Sequence, residues 1–162
     1  MHSLAIAQML ILLALANGSP VIAKQVLGDR FSYPLDLNRK FVDGKPLFGS
    51  SKTIRGVLIA IVVTAAGALL LGLQFEIGLL AGASAMAGDL FSSFVKRRLS
   101  LPPSSKATGL DQIPEALFPL LACRAALVLS ALDILLACAI FFVGELLLSR
   151  LLFRIHMRDE PY

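Results

Sequence analysis

The chain has 162 residues, of which 57% are hydrophobic and only 16% charged. A soluble domain of this length usually carries about a quarter Asp, Glu, Lys and Arg, and a mean hydropathy of +0.79 argues against that class. The net charge of +4 does not point to nucleic acid as a partner, because the basic residues sit between apolar blocks, where membrane topology places them.

A helix needs about 20 apolar residues to cross a hydrocarbon core of about 30 Å. The apolar blocks therefore predict an all-α integral membrane protein, a single embedded domain with about five transmembrane helices. These are expected at residues 3–27, 54–73, 75–95, 113–127 and 134–155. The first block ends in Ala14-Leu15-Ala16, which imitates a signal-peptidase site, but no Lys or Arg precedes it. It reads as a retained first helix. Lys and Arg number seven in residues 24–55, four in 96–106 and three from Arg150 onward, with none in the N-terminal tail or at 72–76. This alternation predicts the N-terminus outside, the C-terminus in the cytoplasm, and two cytoplasmic loops at 28–53 and 99–112.

Within the first span, Asn17-Gly18-Ser19-Pro20 combines a cap residue with a proline suited to the first helical turn. It predicts a helix that restarts inside the membrane, with a simple proline kink as the alternative. The first loop contains Lys40 to Phe48, a hairpin pattern around Asp43-Gly44. Gly49-Ser50-Ser51-Lys52-Thr53-Ile54-Arg55-Gly56 then leads into the second span. Gly44 and Gly49 have P-loop separation, but Ser50-Ser51 intervene and no buried strand precedes. What survives is Lys52, Thr53 and Arg55 at a helix N-terminus, an anion site by dipole and charge.

The third span is rich in Gly, Ala and Ser, which suits close helix packing. It ends in Gly88-Asp89-Leu90-Phe91-Ser92-Ser93-Phe94-Val95-Lys96-Arg97-Arg98. At 3.6 residues per turn Asp89, Ser93, Lys96 and Arg97 share a face, with Asp89 roughly 10 Å deeper than Lys96. An intramembrane carboxylate has to be paired, solvated or metal-bound. One reading is an Asp89–Lys96 pair with basic topology anchors; the other is an active site. Asp111, with Gln112 beside it, opens the fourth span as a helix cap, a metal ligand or both. Cys123 and Cys138 lie in apolar blocks and read as free thiols. Glu145 sits near mid-membrane, with Arg124 or Arg150 as its expected partner. Asp133 stands in the short link before the last span.

Taken in order, these motifs resemble the CDP-archaeol synthase family, compact relatives of the CDP-diacylglycerol synthases. The carrying residues include Asn17-Gly18-Ser19-Pro20, Pro34-Leu35-Asp36, Asp43-Gly44-Lys45, Gly49 to Gly56, Gly88-Asp89, Ser93 to Arg98, Gly109-Leu110-Asp111-Gln112 and the ending Arg158-Asp159-Glu160-Pro161-Tyr162. The resemblance implies five helices, cytoplasmic active-site loops, and transfer of CMP from CTP to a membrane lipid phosphate with Mg2+, releasing pyrophosphate. It carries catalysis to Asp89, Lys96, Arg97 and Asp111, with Mg2+ on Asp89 and Asp111. It carries substrate binding to Asn17, Pro20, Asp36, Lys52, Thr53, Arg55, Ser93 and Gln112. The larger diacylglycerol relatives continue the Lys-Arg motif with a Lys-Asp pair and a His-Gly-Gly stretch. Here Leu101-Pro102-Pro103-Ser104-Ser105 and Gly109-Leu110 stand instead, which favours the compact branch but leaves ether and diacyl lipids both open. Read from the residues alone, a small channel or transporter and a non-catalytic lipid-binding subunit are the rival classes.

Overall fold

The apolar blocks fold into five α-helices in a computed structural model that describes residues 2–103, 105 and 107–154, with side chains to 148. They are α1 Ser3–Leu27, α2 Ile54–Leu70, α3 Phe75–Arg98, α4 Gln112–Ala122 and α5 Ala131–Arg154. The ending at 158–162 and the side chain of Arg150 lie outside the described residues. α3 is the central element, packed against α1, α2 and α4, while α1 also contacts α2 and α5.

Length decides which helices can span. α1, α3 and the first 18 residues of α5 are long and apolar enough to cross a membrane, and α2 is a shorter apolar helix of 17 residues. The fourth expected span is corrected. α4 ends at Ala122 after 11 residues, roughly 16 Å at 1.5 Å per residue, about half a hydrocarbon core. Residues 123–130 turn instead of continuing the helix, with Val128 at a φ of 52°. Ser130 then starts α5, its hydroxyl accepting from the Asp133 amide at 3.2 Å. Asp133 accepts in return from the Ser130 amide and hydroxyl, a reciprocal cap that places the fifth helix three residues earlier than expected.

The predicted restart in the first span is also corrected. α1 runs unbroken from Ser3 to Leu27 through Pro20. Proline forfeits one backbone bond, a loss that packed neighbours make tolerable in a membrane helix. Here the neighbour is the start of α2, since a side chain at Gly56 would stand 3.6 Å from Pro20 Cβ. α1 buries Ile6, Met9, Leu12, Leu13 and Ala16 in the common core, whereas Leu4, Ile22 and Val26 face outward.

Small residues on α3 set how near its neighbours come. A Cβ at Gly78 would stand 2.6 Å from the Ala65 Cα of α2, and one at Gly88 would overlap the Pro114 carbonyl of α4. Backbone-to-backbone approach of this kind replaces the hydrophobic drive that helices lack in lipid. It seats the start of α4 beside Asp89.

The first loop is built as expected and then some. Lys40 and Pro46 bridge antiparallel, Phe41 donates its amide to Lys45 at 2.8 Å, and Gly44 takes a φ of 77° at the turn. Asp36 organises the rest, accepting the amides of Asn38, Phe48 and Gly49 at 3.0 Å each. Its burial would raise the carboxyl pKa, but these backbone hydrogen bonds outweigh that and hold it below the usual value. A depressed carboxylate stabilises the fold above its unfolded pKa and loses that contribution as pH falls through the folded one. Asp36→Asn should therefore lower stability by about 1–2 kcal/mol near neutral pH. In thermal melts the gap between the two proteins should close as pH drops below 3.8; a gap independent of pH would remove the ionic part of this account.

Candidate active site

Both loops meet over the C-terminal end of α3. The ammonium of Lys45, on the hairpin, donates to the Arg98 carbonyl at 2.9 Å and to the Ser100 hydroxyl at 2.7 Å. Arg98 pairs with Asp43 at 3.1 Å and lies over the rings of Phe41 and Phe94. This cation–π and ionic strap fastens the hairpin to α3. Beside it opens a cleft of about 270 Å³ lined by Lys45, Pro46, Arg97, Ser100, Leu101 and Pro103.

Deeper in, two lysines and two aspartates form crossed pairs. Lys52, just before α2, reaches both carboxylate oxygens of Asp89 at 2.6 Å. Lys96 meets Asp111 Oδ1 at 2.5 Å and donates to the Ser105 carbonyl at 2.9 Å. The alternative reading, an Asp89–Lys96 pair along one helix, is thus replaced by contacts between elements. Burial alone would lower the Lys52 pKa. The charge and hydrogen bonds of Asp89 outweigh it, aided by the charges of Glu115 and Asp111, and raise it above the ordinary lysine value. Asp89, Asp111 and Glu115 therefore form one electrostatic neighbourhood around Lys52.

Glu115 is a site residue that sequence reasoning did not single out. It is buried on α4 and lies within charge range of Asp89, Asp111, Lys52 and Glu145. The signal was present: Asp111 and Glu115 stand four apart, on one helix face.

Asp111 is not a side-chain cap. No capping bond is made at the start of α4. Its second oxygen instead accepts the Ala107 amide at 2.9 Å, while Gln112 Oε1 accepts from Gly109 at 2.8 Å. Both side chains close the second loop on itself. Thr53 does cap its helix, accepting from the Gly56 amide at 3.1 Å. Arg55 leaves the expected anion cluster: its guanidinium donates to the carbonyls of Gly28 and Arg30. Of the three cationic or hydroxyl groups at the α2 start, only Lys52 faces the carboxylates.

Other predicted residues keep unused polar capacity. Arg97 is 4% exposed and donates Nη2 to the Pro102 carbonyl at 2.8 Å. Its Nε and Nη1 are buried and find no acceptor among the described residues, and neither do the amide atoms of Asn17 find partners. A buried polar group without a partner costs about 1–3 kcal/mol, so such groups mark places where a ligand or water completes the bonding. Ser93 is buried on α3, next to Ser92, whose hydroxyl ties α3 to the Leu110 carbonyl at 2.6 Å. Asp36 holds the surrounding backbone and Pro20 lies against the start of α2, as described above.

A family model described as CDP-archaeol synthase matches residues 4–162. The chain belongs to the CDP-archaeol synthase family. Family members are cytidylyltransferases of archaeal lipid biosynthesis, making CDP-archaeol from CTP and archaetidic acid. The chain is similar to the CDP-archaeol synthase of Sulfurisphaera tokodaii, 32% identical over 153 residues that cover 91% of this chain and 89% of the relative. It is 42% identical over 107 residues to that of Pyrococcus furiosus, there spanning 60% of each protein. A solved structure of an intramembrane enzyme for archaeal membrane lipid biosynthesis superposes with a TM-score of 0.72 at 27% identity, covering 86% of this chain and 91% of that one. The chain is thus a multi-pass integral membrane protein of an enzyme family, which sets aside the channel and non-catalytic readings.

Asparagine at position 89 or 111 keeps shape and hydrogen bonding but removes the charge that answers a lysine or a hard cation. Asp89→Asn and Asp111→Asn should each lower CTP turnover at least ~100-fold per folded molecule, and because each leaves a lysine without its counter-charge the melting temperature should fall as well. An Asp111→Asn protein of normal turnover and unchanged magnesium dependence would reduce that residue to a loop fastener.

Proposed function

We propose that this chain transfers CMP from CTP to archaetidic acid, giving CDP-archaeol and pyrophosphate, with its active site on the cytoplasmic face. The observation that carries this reading is the crossed Lys52–Asp89 and Lys96–Asp111 arrangement, with Arg97 within charge range of Asp111, where two basic loops close one end of the bundle.

The chemistry asks for this composition. The attacking group is a phosphate monoester with a second pKa of about 6, so it is largely ionised at neutral pH. No general base is then needed to make it nucleophilic. Its oxygen attacks the α-phosphorus of CTP as the bond to the β-phosphate oxygen breaks, and pyrophosphate leaves with the electron pair. The difficulty is bringing a dianion to a triphosphate, which calls for positive charge fixed in a water-poor site. Lys52 and Lys96 supply point charges, and the open Nε–Nη1 edge of Arg97 suits two parallel bonds to a phosphate. Asn17 offers a donor and an acceptor from α1 to a neutral polar part of a substrate.

The family implies a divalent cation. Among the described residues no three His, Cys, Asp or Glu form a ready cage. A cage is not what Mg2+ requires, since it is usually held by one or two carboxylates together with substrate phosphates. Asp89 and Asp111 are hard oxygen donors already holding cations, with Glu115 in reserve, so the donor set fits. Bound there, the ion would neutralise phosphate charge and polarise the α-phosphoryl group.

The cytoplasmic orientation rests on the Lys and Arg distribution of the two loops. A cysteine at Ser50, in a background lacking Cys123 and Cys138, should be blocked by a membrane-impermeant thiol reagent only after cells are opened. Labelling of intact cells would invert the orientation.

Purified protein given labelled CTP, Mg2+ and a panel of lipid phosphates tests the reaction directly. CDP-lipid and pyrophosphate should form together, with archaetidic acid preferred over phosphatidic acid. Absence of product from every lipid phosphate would defeat the assignment, and preference for phosphatidic acid would change its substrate.

A further inference from the structure

The two lysine–aspartate pairs are not equivalent. Lys96 is fixed on α3 and held by the Ser105 carbonyl as well as Asp111, whose other oxygen is engaged by the Ala107 amide. That pair is part of the fabric of the second loop. Lys52 has no such second anchor among the described residues; its ammonium hydrogen-bonds Asp89 alone, and both of its oxygens. Its backbone, in contrast, is pinned: the Lys52 carbonyl accepts from Leu35 at 2.7 Å and its amide donates to Gly49 at 3.2 Å. Only the flexible four-carbon stem is left to move.

We propose that Lys52 is a resident counter-ion that closes the Asp89 carboxylate to a free divalent cation and releases it when nucleotide phosphates draw the ammonium away. Cation and nucleotide then enter as a unit. This rests on the CTP reading above. An ammonium held by both oxygens neutralises Asp89 and occupies the space a metal would take, so a free cation finds little charge to attract it. A triphosphate carrying its cation reverses the balance, because it presents several anionic oxygens to Lys52 while offering Asp89 a replacement cation. Each group keeps a counter-charge through the exchange, Lys52 a phosphate and Asp89 the incoming cation, so neither is left bare in the membrane-embedded bundle. Lys52 and Asp89 side chains are 24% and 25% exposed, which leaves a path for the stem to swing.

Mn2+, in place of Mg2+, can be followed by the paramagnetic resonance of the free ion in detergent solutions of the full chain, with and without CTP, the ion that CTP binds by itself being subtracted from protein-free controls. Wild type should bind Mn2+ weakly alone and roughly tenfold or more tighter with CTP. Lys52→Gln should bind Mn2+ alone about tenfold or more tighter than wild type, with CTP adding less. Lys52→Arg should restore the closed state, and Asp89→Asn in the Lys52→Gln background should erase the gain. Unchanged or weaker Mn2+ binding by a folded Lys52→Gln protein overturns the proposal. So does wild type that binds Mn2+ alone as tightly as with CTP, a result that needs no variant to fold. Failure of CTP to bind at all would fall on the proposed reaction, whereas the comparison of Mn2+ alone still decides the role of Lys52.

Discussion

A charged side chain in a bundle surrounded by hydrocarbon must find its counter-charge within the protein, because bulk water is not there to supply it. In this chain the bond that meets this requirement most directly is Lys52 to Asp89. It joins the end of the first loop to α3, and so converts a stretch of turns and bridges into a wall of the candidate site. Around it the same requirement is met again by Lys96 with Asp111 and by Arg98 with Asp43. Each of these pairs joins α3 to one of the two loops.

The position of α4 follows from a different constraint. Gly88 lets the α4 backbone lie directly on α3, and that approach brings Glu115 and Asp111 alongside Asp89. A short helix serves this purpose better than a spanning one. With 11 residues, α4 brings its first turn to the charged end and leaves room for residues 123–130 to turn back toward α5. At the start of α5, Asp133 is fully buried and gathers bonds from Ser130 and His2. This holds the beginning of α1 to α5 and is structural by every contact it makes.

Division of labour among the polar groups is accordingly sharp. Asp36, Thr53, Arg55 and Gln112 spend their hydrogen-bonding capacity on backbone, which shapes the loops. Arg97 and Asn17 retain buried capacity that no described group uses. The proposed nucleotide site would benefit from both kinds, since preformed loops reduce reorganisation and unused donors are free to bind phosphate.

Much of this was legible in the chain itself. Hydropathy and length alone marked α1, α2, α3 and α5, because a membrane helix is specified by a run of apolar residues whatever its neighbours. The Asp-Gly hairpin was equally local, as was the helix start at Thr53, and the order of motifs was enough to indicate the family. What sequence could not supply was pairing across elements. Helical spacing put Asp89 and Lys96 on one face, yet their partners come from the two loops, and the choice depends on where tertiary packing carries Lys52 and Asp111. The continuity of α1 through Pro20 was likewise decided by a neighbour, the start of α2. The early end of α4 and the place of Glu115 came from the contact at Gly88. Composition and hydropathy determined that this protein lives in a membrane; only the fold determined which charge answers which, because that depends on distances between residues far apart in the chain.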